Sequence, residues 1–335
     1  MKWWALALIC LVQFMVVLDI AIVNVALPSI QTDLGFSQEN LQWVISAYAL
    51  VFGGFLLLGG RVADLVGRRR VFMLGLVLFS IGSLLCGLAW NDVSLIGARA
   101  IQGLGAATVS PAALSILTTT FQEGRERNIA LGAWGAVGGF GAAAGVLLGG
   151  ILTDALSWEW IFFVNVPVGI LAFLVTPLIV GESRDERVHA FDALGAVLVT
   201  SGLVLLVLGI TQGQTWGWDS GRVIGVFVAA VALLLAFVGW ESRQREPLVP
   251  FAFFRNRTRT AANVAGLVLG TVLFSMFLLL TLYMQQVLGY SAMKTGVAYL
   301  AVAGTAVLWA NVAAVVVNRV GVKPALVFGM TLLTV

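Results

Sequence analysis

The chain has 335 residues, of which 60% are hydrophobic and only 10% are charged, with a mean hydropathy of +1.01 and a net charge of +3. Soluble domains carry about 25% charged residues, so this chain lacks the charges to cover a globule in water. The composition excludes an ordinary soluble domain and predicts a chain built into a lipid bilayer.

Apolar runs of about 20 residues, the length that crosses a bilayer core, recur along the chain. They predict ten transmembrane helices, at 3–27, 41–60, 71–90, 95–119, 129–153, 161–181, 193–212, 221–240, 260–285 and 296–317. An eleventh helix begins near residue 325 and is too short to span, so we expect a C-terminally incomplete chain. The predicted fold class is an all-α polytopic membrane protein.

The first predicted helix contains one carboxylate, Asp19, in the middle of an otherwise uncharged run. A cleaved signal peptide has a shorter apolar core, so this run predicts a retained helix. A carboxylate at this depth costs roughly 2.5–3.5 kcal/mol by insertion scales. It therefore needs compensation, either from a partner or from a local cap within a broken first helix.

The basic residues predict the orientation of the helices. With the N-terminus in the cytoplasm, 16 of the 19 Lys and Arg residues fall on the cytoplasmic side. These are Lys2, Arg61, Arg68, Arg69, Arg70, Arg125, Arg127, Arg184, Arg187, Arg243, Arg245, Arg255, Arg257, Arg259, Arg319 and Lys323. The positive charge therefore indicates cytoplasmic loops rather than a nucleic-acid surface.

The predicted helices divide into three parts. Residues 1–181 form a six-helix bundle, 182–259 hold cytoplasmic linkers and an inserted helix pair, and 260–335 begin a second bundle. The loops "GRVADLVGRRR" (60–70) and "AVVVNRVGVKP" (314–324) occupy matching places in the two bundles. Such weak internal symmetry is typical of secondary transporters and predicts two bundles related by a pseudo-two-fold axis, with the inserted pair outside the first six helices.

Arg99 lies inside the fourth predicted helix, in "ARAIQGLGAA" (98–107). Intramembrane charges usually face the bundle interior in pairs, and Asp19 is the visible partner. The alternative is that Arg99 extends to the outer interface, about one turn away.

Two further motifs are rich in glycine. In the 60–70 loop, Asp64 lies near a helix end and Gly67 permits a tight reversal, which indicates a structural or gating role. The fifth helix has eight glycines within 132–150. Its Gly141, Gly145 and Gly149 form one smooth face, suited to close helix packing or to a helix that slides.

Taken together, the motifs resemble those of the major facilitator superfamily, in particular its fourteen-helix drug:proton antiporters. The similar segments are "LDIAIVNVALP" (18–28), "GRVADLVGRRR", "RAIQGLGAA" (99–107), "GAAAGVLLGG" (141–150) and "WEWIFFVNVPVG" (158–169). The resemblance implies that 193–240 is the extra central helix pair of that group.

The resemblance also implies roles for individual residues. Asp19 and Arg99 would carry proton coupling. The cavity or helix-packing residues would be Asn24, Gln102, Gly141, Gly145 and Gly149. The gating loop would comprise Gly60, Asp64, Gly67, Arg68 and Arg69.

The function that follows is proton-coupled export of small organic compounds from the bacterial cytoplasm by alternating access, without cofactor or metal. Burial favours the neutral form of a carboxyl group, which lets it bind and release protons near neutral pH. The alternative within the same fold is an uptake symporter for a metabolite. An enzyme would need clustered catalytic groups at membrane depth, and the one histidine, His189, falls in a loop. The identity of any accessory efflux protein is unknown.

Overall fold

The computed structural model describes residues 1–184, 192–244 and 247–332, and these ranges contain helices and no β-strand. The helices labelled here are α1 Lys2–Leu34, α2 Trp43–Val66, α3 Arg68–Gly87, α4 Asp92–Thr120, α5 Arg125–Ala155, α6 Asn165–Ile179, α7 Ala193–Trp216, α8 Gly221–Glu241, α9 Arg257–Leu282, α10 Ala292–Val320 and α11 Val322–Leu332. Short helical segments lie at Gln38–Leu41, Trp160–Phe163, Phe251–Arg255 and Tyr283–Val287. His189 lies outside the described residues.

Within the described ranges, nine helices are long and apolar enough to cross a membrane. The predicted all-α polytopic fold is therefore confirmed, and each predicted span coincides with a helix. The first span is longer than expected, because α1 continues through Pro28 to Leu34. The sixth is interrupted at Val164, which separates the segment Trp160–Phe163 from α6.

Local chemistry sets where these helices begin and end. Gly35 ends α1 in the left-handed conformation (φ 67°) and donates its N–H to the Gln31 carbonyl, a common helix stop. At the start of α4, the Asn91 side chain accepts from the Ser94 N–H while Ser94 bonds back to the Asn91 N–H, a capping box.

Two glycines make equivalent one-residue connections. Gly67 joins α2 to α3 with φ 126°, and Gly321 joins α10 to α11 with φ 87°. Positive φ is readily reached only by glycine, so each connection depends on that residue. The two loops that match in sequence thus share the same backbone feature, a single glycine with positive φ.

The helices α2 and α3 pack closely on α4 through glycines. A Cβ on Gly59 would collide with the Ala107 carbonyl, and one on Gly82 would lie 2.6 Å from the backbone nitrogen of Gln102. Gly60, in contrast, has only an ordinary contact at 3.5 Å with Pro111. Close backbone approach of this kind is typical of helix pairs in membranes.

The helix pair α7 and α8 joins the bundle through α2. The Thr200 hydroxyl on α7 donates to the Gly54 carbonyl on α2 at 2.7 Å. Gly202 on α7 receives the Leu234 side chain of α8. The pair therefore lies against one flank of α2.

The helix α5 lies between α1 and α10. A Cβ on Gly296 of α10 would come 2.8 Å from the Val146 carbonyl of α5. Buried Ala21 and Val25 on α1, Val146 on α5 and Tyr299 on α10 form one apolar cluster. Nearby, Gln285 donates to the Val25 carbonyl at 3.2 Å. These contacts join 1–181 to 260–335 in the second half of α1.

Candidate functional site

Asp19 is completely buried in the middle of α1, and the helix is continuous around it. Its carboxylate bonds to side chains from α4 and α6 rather than to its own helix. The alternative of a local cap in a broken first helix is therefore wrong.

Arg99 pairs with this carboxylate. Its Nη1 donates to Asp19 Oδ2 at 2.7 Å and to Gln102 Oε1 at 2.6 Å, and its Nε donates to the Val44 carbonyl at 3.0 Å. Its side chain is 1% exposed, which excludes extension to the outer interface. The guanidinium carbon lies 4.2 Å from the centre of the Tyr48 ring, so a cation–π contact adds to the ion pair.

A neutral network surrounds the ion pair. Gln102 Nε2 donates to Asp19 Oδ1 at 2.7 Å and to Ser83 Oγ at 3.1 Å. Asn165 Nδ2 donates to the same two oxygens at 2.9 and 3.1 Å. Ser83 in turn donates to the Phe162 carbonyl at 2.8 Å. Side chains from α1, α3, α4 and α6 thus meet at one buried point.

Both Asp19 oxygens therefore accept hydrogen bonds, Oδ2 from the Arg99 guanidinium and Oδ1 from the two amides. A buried ion pair is stable only if its remaining hydrogen-bonding positions are also filled, and the two amides supply those bonds. The arrangement is a preformed site for a buried carboxylate and its cation.

Sequence reasoning missed two residues of this network. Neither Ser83 nor Asn165 is among the site residues predicted from the sequence. Both are polar residues inside apolar spans, which is the signal that a search for embedded polar groups would detect. Asn24 is buried but stands apart, because its Nδ2 donates to the Ile20 carbonyl of its own helix at 2.9 Å.

The predicted glycine face of α5 packs directly on α1 beside Asp19. A Cβ on Gly145 would lie 2.8 Å from both the Leu18 carbonyl and the Ala21 Cβ. One on Gly141 would lie 3.1 Å from Val17, and one on Gly149 would lie 2.9 Å from the Ile22 carbonyl. The face allows close approach of α1 and α5 from Val17 to Ile22, on both sides of Asp19.

The predicted gating loop forms a second, separate cluster. Asp64 Oδ1 accepts from Arg68 Nε at 3.0 Å and Nη2 at 2.8 Å. The loop also contacts the segment after α6, because the Arg68 N–H donates to the Ser183 carbonyl at 2.9 Å. Glu182 accepts from the Arg69 N–H at 3.1 Å and lies within 3.8 Å of the Arg69 guanidinium.

Among the described residues, no group of three or more His, Cys, Asp or Glu side chains could hold a metal ion. In the part of the chain that the structure describes, the Asp19–Arg99 ion pair is completely buried and is surrounded by these amides and the Ser83 hydroxyl. Embedded ionisable residues facing a bundle interior mark ion and substrate pathways. The fold and this site together define a polytopic membrane protein of the transporter type.

Residues 9–335 match the Major Facilitator Superfamily, and the chain belongs to this superfamily. It is 43% identical to the puromycin resistance protein pur8 of Streptomyces alboniger, covering 99% of this chain and 68% of the relative. It is 45% identical to the cephamycin export protein CmcT of Amycolatopsis lactamdurans, covering 88% of this chain and 61% of the relative.

A third relative is the tetracenomycin C resistance and export protein of Streptomyces glaucescens. It is 35% identical, over 98% of this chain and 61% of its own length. The chain thus spans less than two thirds of the length of two of these three relatives. The relatives carry names of resistance and export proteins, not of enzymes.

Solved structures show the same fold. A POT family transporter in complex with a thioalcohol-conjugated peptide has a TM-score of 0.65 at 16% identity, covering 95% of this chain and 70% of that one. The peptide transporter POT in complex with sulfate has a TM-score of 0.62 at 15% identity, covering 92% and 68%. At this identity the likeness concerns the helix arrangement only.

Proposed function

We propose that this protein is a proton-coupled secondary transporter that exports small organic compounds across the bacterial inner membrane by alternating access. The observation that carries the proposal is the buried Asp19–Arg99 pair at 2.7 Å in the centre of a helix bundle. The names of three relatives, which refer to resistance or export of antibiotics, support an exported organic substrate.

In this proposal, Asp19 is the proton-binding group. Ionised Asp19 holds Arg99, Gln102 and Asn165 around it. A proton cancels the carboxylate charge and weakens the attraction to Arg99, so the two protonation states favour different helix arrangements. A difference of a few kcal/mol is enough to shift a two-state equilibrium.

The helices beside Asp19 offer a route from charge to movement. Its helix α1 contacts the glycine face of α5, and α5 also contacts α10 through Val146. A shift of α1 at Asp19 would therefore be felt at the contact between 1–181 and 260–335. These parts serve as the two bundles, and 182–259 supplies the linkers and the inserted pair.

The proposed orientation places the N-terminus in the cytoplasm, as the distribution of basic residues predicts. The connections at Gly67 and Gly321 then lie on the cytoplasmic side, with Glu182 holding the gating loop. The partners in this proposal are protons, a small organic substrate and the surrounding lipid. Uptake by a symporter is the alternative direction, and the names of the relatives favour export.

The test is Asp19→Asn in everted membrane vesicles that accumulate a fluorescent organic cation when energised. This change keeps the shape and removes the titration, so we expect proton-driven accumulation to fall to the level of vesicles without the protein. The matched control is Asp92→Asn, a half-buried carboxylate at the start of α4, away from the Asp19 network. Wild-type accumulation with unchanged pH dependence in Asp19→Asn would overturn the proposal.

A further inference from the structure

The neutral half of the Asp19 network has an unusual symmetry. The amides of Gln102 and Asn165 each donate to the same two acceptors, Asp19 Oδ1 and Ser83 Oγ. Each of the four residues, Asp19, Ser83, Gln102 and Asn165, is at most 1% exposed. The hydrogen atoms in this closed group can therefore be counted.

The count leaves no place for a proton on Asp19. Both hydrogens of each amide are used, and the one hydroxyl hydrogen of Ser83 goes to the Phe162 carbonyl at 2.8 Å. The second oxygen of Asp19 accepts from Arg99. Every described partner of the carboxyl group is a donor, so a protonated Asp19 would have an O–H without an acceptor. A buried donor without an acceptor is costly, so one partner must change.

Gln102 is not free to make this change. Its Oε1 accepts from Arg99 Nη1 at 2.6 Å and from the Cys86 thiol at 3.5 Å. Turning this amide over would place its NH₂ group against the guanidinium, donor against donor. Across the described ranges, the Asn165 side chain hydrogen-bonds only through Nδ2. Asn165 is therefore the amide that can turn over at least cost.

We propose that Asn165 is a positioning residue that reverses its amide when Asp19 takes up a proton, and that Ser83 transmits this reversal to the Phe162 carbonyl. This inference rests on the proposed proton coupling. A proton from water binds Asp19 Oδ1, and the only covalent change is that new O–H bond. Asn165 Oδ1 turns to accept from it. Ser83 then rotates to donate to Asn165 Oδ1 and releases the Phe162 carbonyl.

The released carbonyl lies beside the interruption of the sixth span. Phe162 belongs to the short segment Trp160–Phe163, which is separated from α6 by the interruption at Val164. Ser83 lies on α3, so its hydrogen bond ties this segment to α3. Loss of that bond frees the junction to move. The charge on α1 is thereby linked to the angle at which α6 enters the bundle.

Other titratable groups face the network and stay unchanged in the test variants. They are Arg99 on α4, Tyr48 on α2 and Cys86 on α3, with Tyr299 of α10 in the adjoining apolar cluster. From α5 and α6, the facing residues are Gly145 and Asn165.

The first test follows the carboxylic acid C=O band of Asp19 by infrared titration of the whole purified protein, identified by its loss in Asp19→Asn. In Asn165→Ala, the ionised form loses a donor and the protonated form loses an acceptor. Bonds to charged groups are the stronger, so we expect the midpoint to rise by up to about 1 pH unit. The band should also move to higher frequency, because its O–H has lost the amide acceptor.

The matched control is Thr176→Val. Thr176 is fully buried on α6 but donates to the Ala172 carbonyl of its own helix. Its loss should leave both the midpoint and the band frequency unchanged. A midpoint and frequency in Asn165→Ala equal to wild type would overturn the positioning role, whether or not Asp19→Asn abolishes transport. Loss of function in Asp19→Asn with no Asp19 band in wild type would instead count against proton coupling.

The second test does not need Asn165→Ala to fold. The segment around Trp160–Phe163 should lose protection from hydrogen–deuterium exchange, expressed relative to the intrinsic exchange rate at each pH, in wild type when pH falls through the Asp19 midpoint. Ser83→Ala removes the link, so protection in this segment should be low at every pH. A pH-dependent loss of protection of wild-type size in Ser83→Ala would refute the transmission through Ser83.

Discussion

At the scale of single residues, Asp19 and Arg99 differ in the partners that each would keep if the other were removed. Arg99 keeps the Gln102 Oε1 atom, the Val44 carbonyl and the Tyr48 ring even without a carboxylate. Asp19 without Arg99 keeps only two neutral amides. A buried charge left without its partner is strongly destabilising, whereas removing both charges can be neutral.

This asymmetry predicts the stability of three variants. Arg99→Leu should lower the free energy of unfolding by roughly 3–5 kcal/mol and reduce accumulation in the membrane. Asp19→Asn should lower the free energy of unfolding by less, because the Arg99 cation keeps its contacts with Gln102, the Val44 carbonyl and the Tyr48 ring. The double variant should recover part of the loss seen in Arg99→Leu.

Thermal unfolding of the detergent-purified variants, with membrane abundance beside it, measures these differences. A double variant that is less stable than Arg99→Leu would contradict the reasoning.

At the scale of elements, α5 packs closely on two other helices. Gly145 lets the α1 backbone approach, and the carbonyl of the adjacent Val146 faces Gly296 of α10. Such contacts leave little room for added volume, since packed interiors contain few voids. The glycine face therefore holds Asp19 at a set distance from α5.

Gly145→Leu should therefore abolish transport per molecule of protein in the membrane. If α1 and α5 cannot separate to admit the leucine, the amount of protein in the membrane should fall as well. The reason is steric, because even a Cβ would lie 2.8 Å from the Leu18 carbonyl. Gly139→Leu is the matched control, as this glycine of the same helix has open space around its Cβ position. Dye efflux from cells, normalised to protein in the membrane, provides the measurement. Equal efflux for Gly145→Leu and wild type would show that the face tolerates separation.

The elements also show how far sequence reasoning reaches. The spans were predictable because each apolar run is local, and length alone decides whether it can cross a bilayer. The break at Val164 was predictable in kind, because Pro167 has no N–H for the Phe163 carbonyl four residues earlier and indicates a kink in the sixth helix. The pairing of Asp19 with Arg99 was proposed because both are rare charges at membrane depth. The bonds from Ser83 and Asn165 join positions far apart in the chain, and hydropathy does not reveal which helix faces meet.

At the scale of the whole molecule, the order of connections determines which loops share a side. With the proposed orientation, Glu123 before α5 lies in the cytoplasm, and Asp219 between α7 and α8 lies outside. Both are loop residues in the described chain. Their positions therefore report on the topology of the first six helices and of the inserted pair separately.

Single cysteines at these positions test the topology. After Cys10 and Cys86 are replaced by alanine, a membrane-impermeant maleimide on intact cells should label Asp219→Cys and not Glu123→Cys. Glu123→Cys should become reactive only once the membrane is permeabilised. The reverse pattern would mean that the N-terminus lies outside, and labelling of both would mean a missing or additional span.

The distance along the chain between Asp19 and Arg99 has a consequence for biosynthesis. The two residues are 80 positions apart, so at about 5–20 residues per second the carboxylate leaves the ribosome roughly 4–16 s before its cation. During that interval α1 carries an insertion penalty of about 2.5–3.5 kcal/mol. We expect nascent chains arrested before α4 to integrate α1 less completely than the same chains with Asp19→Leu. In chains long enough to present Arg99, this difference should shrink. The first helix of this protein would then settle in the membrane only after the fourth has been made.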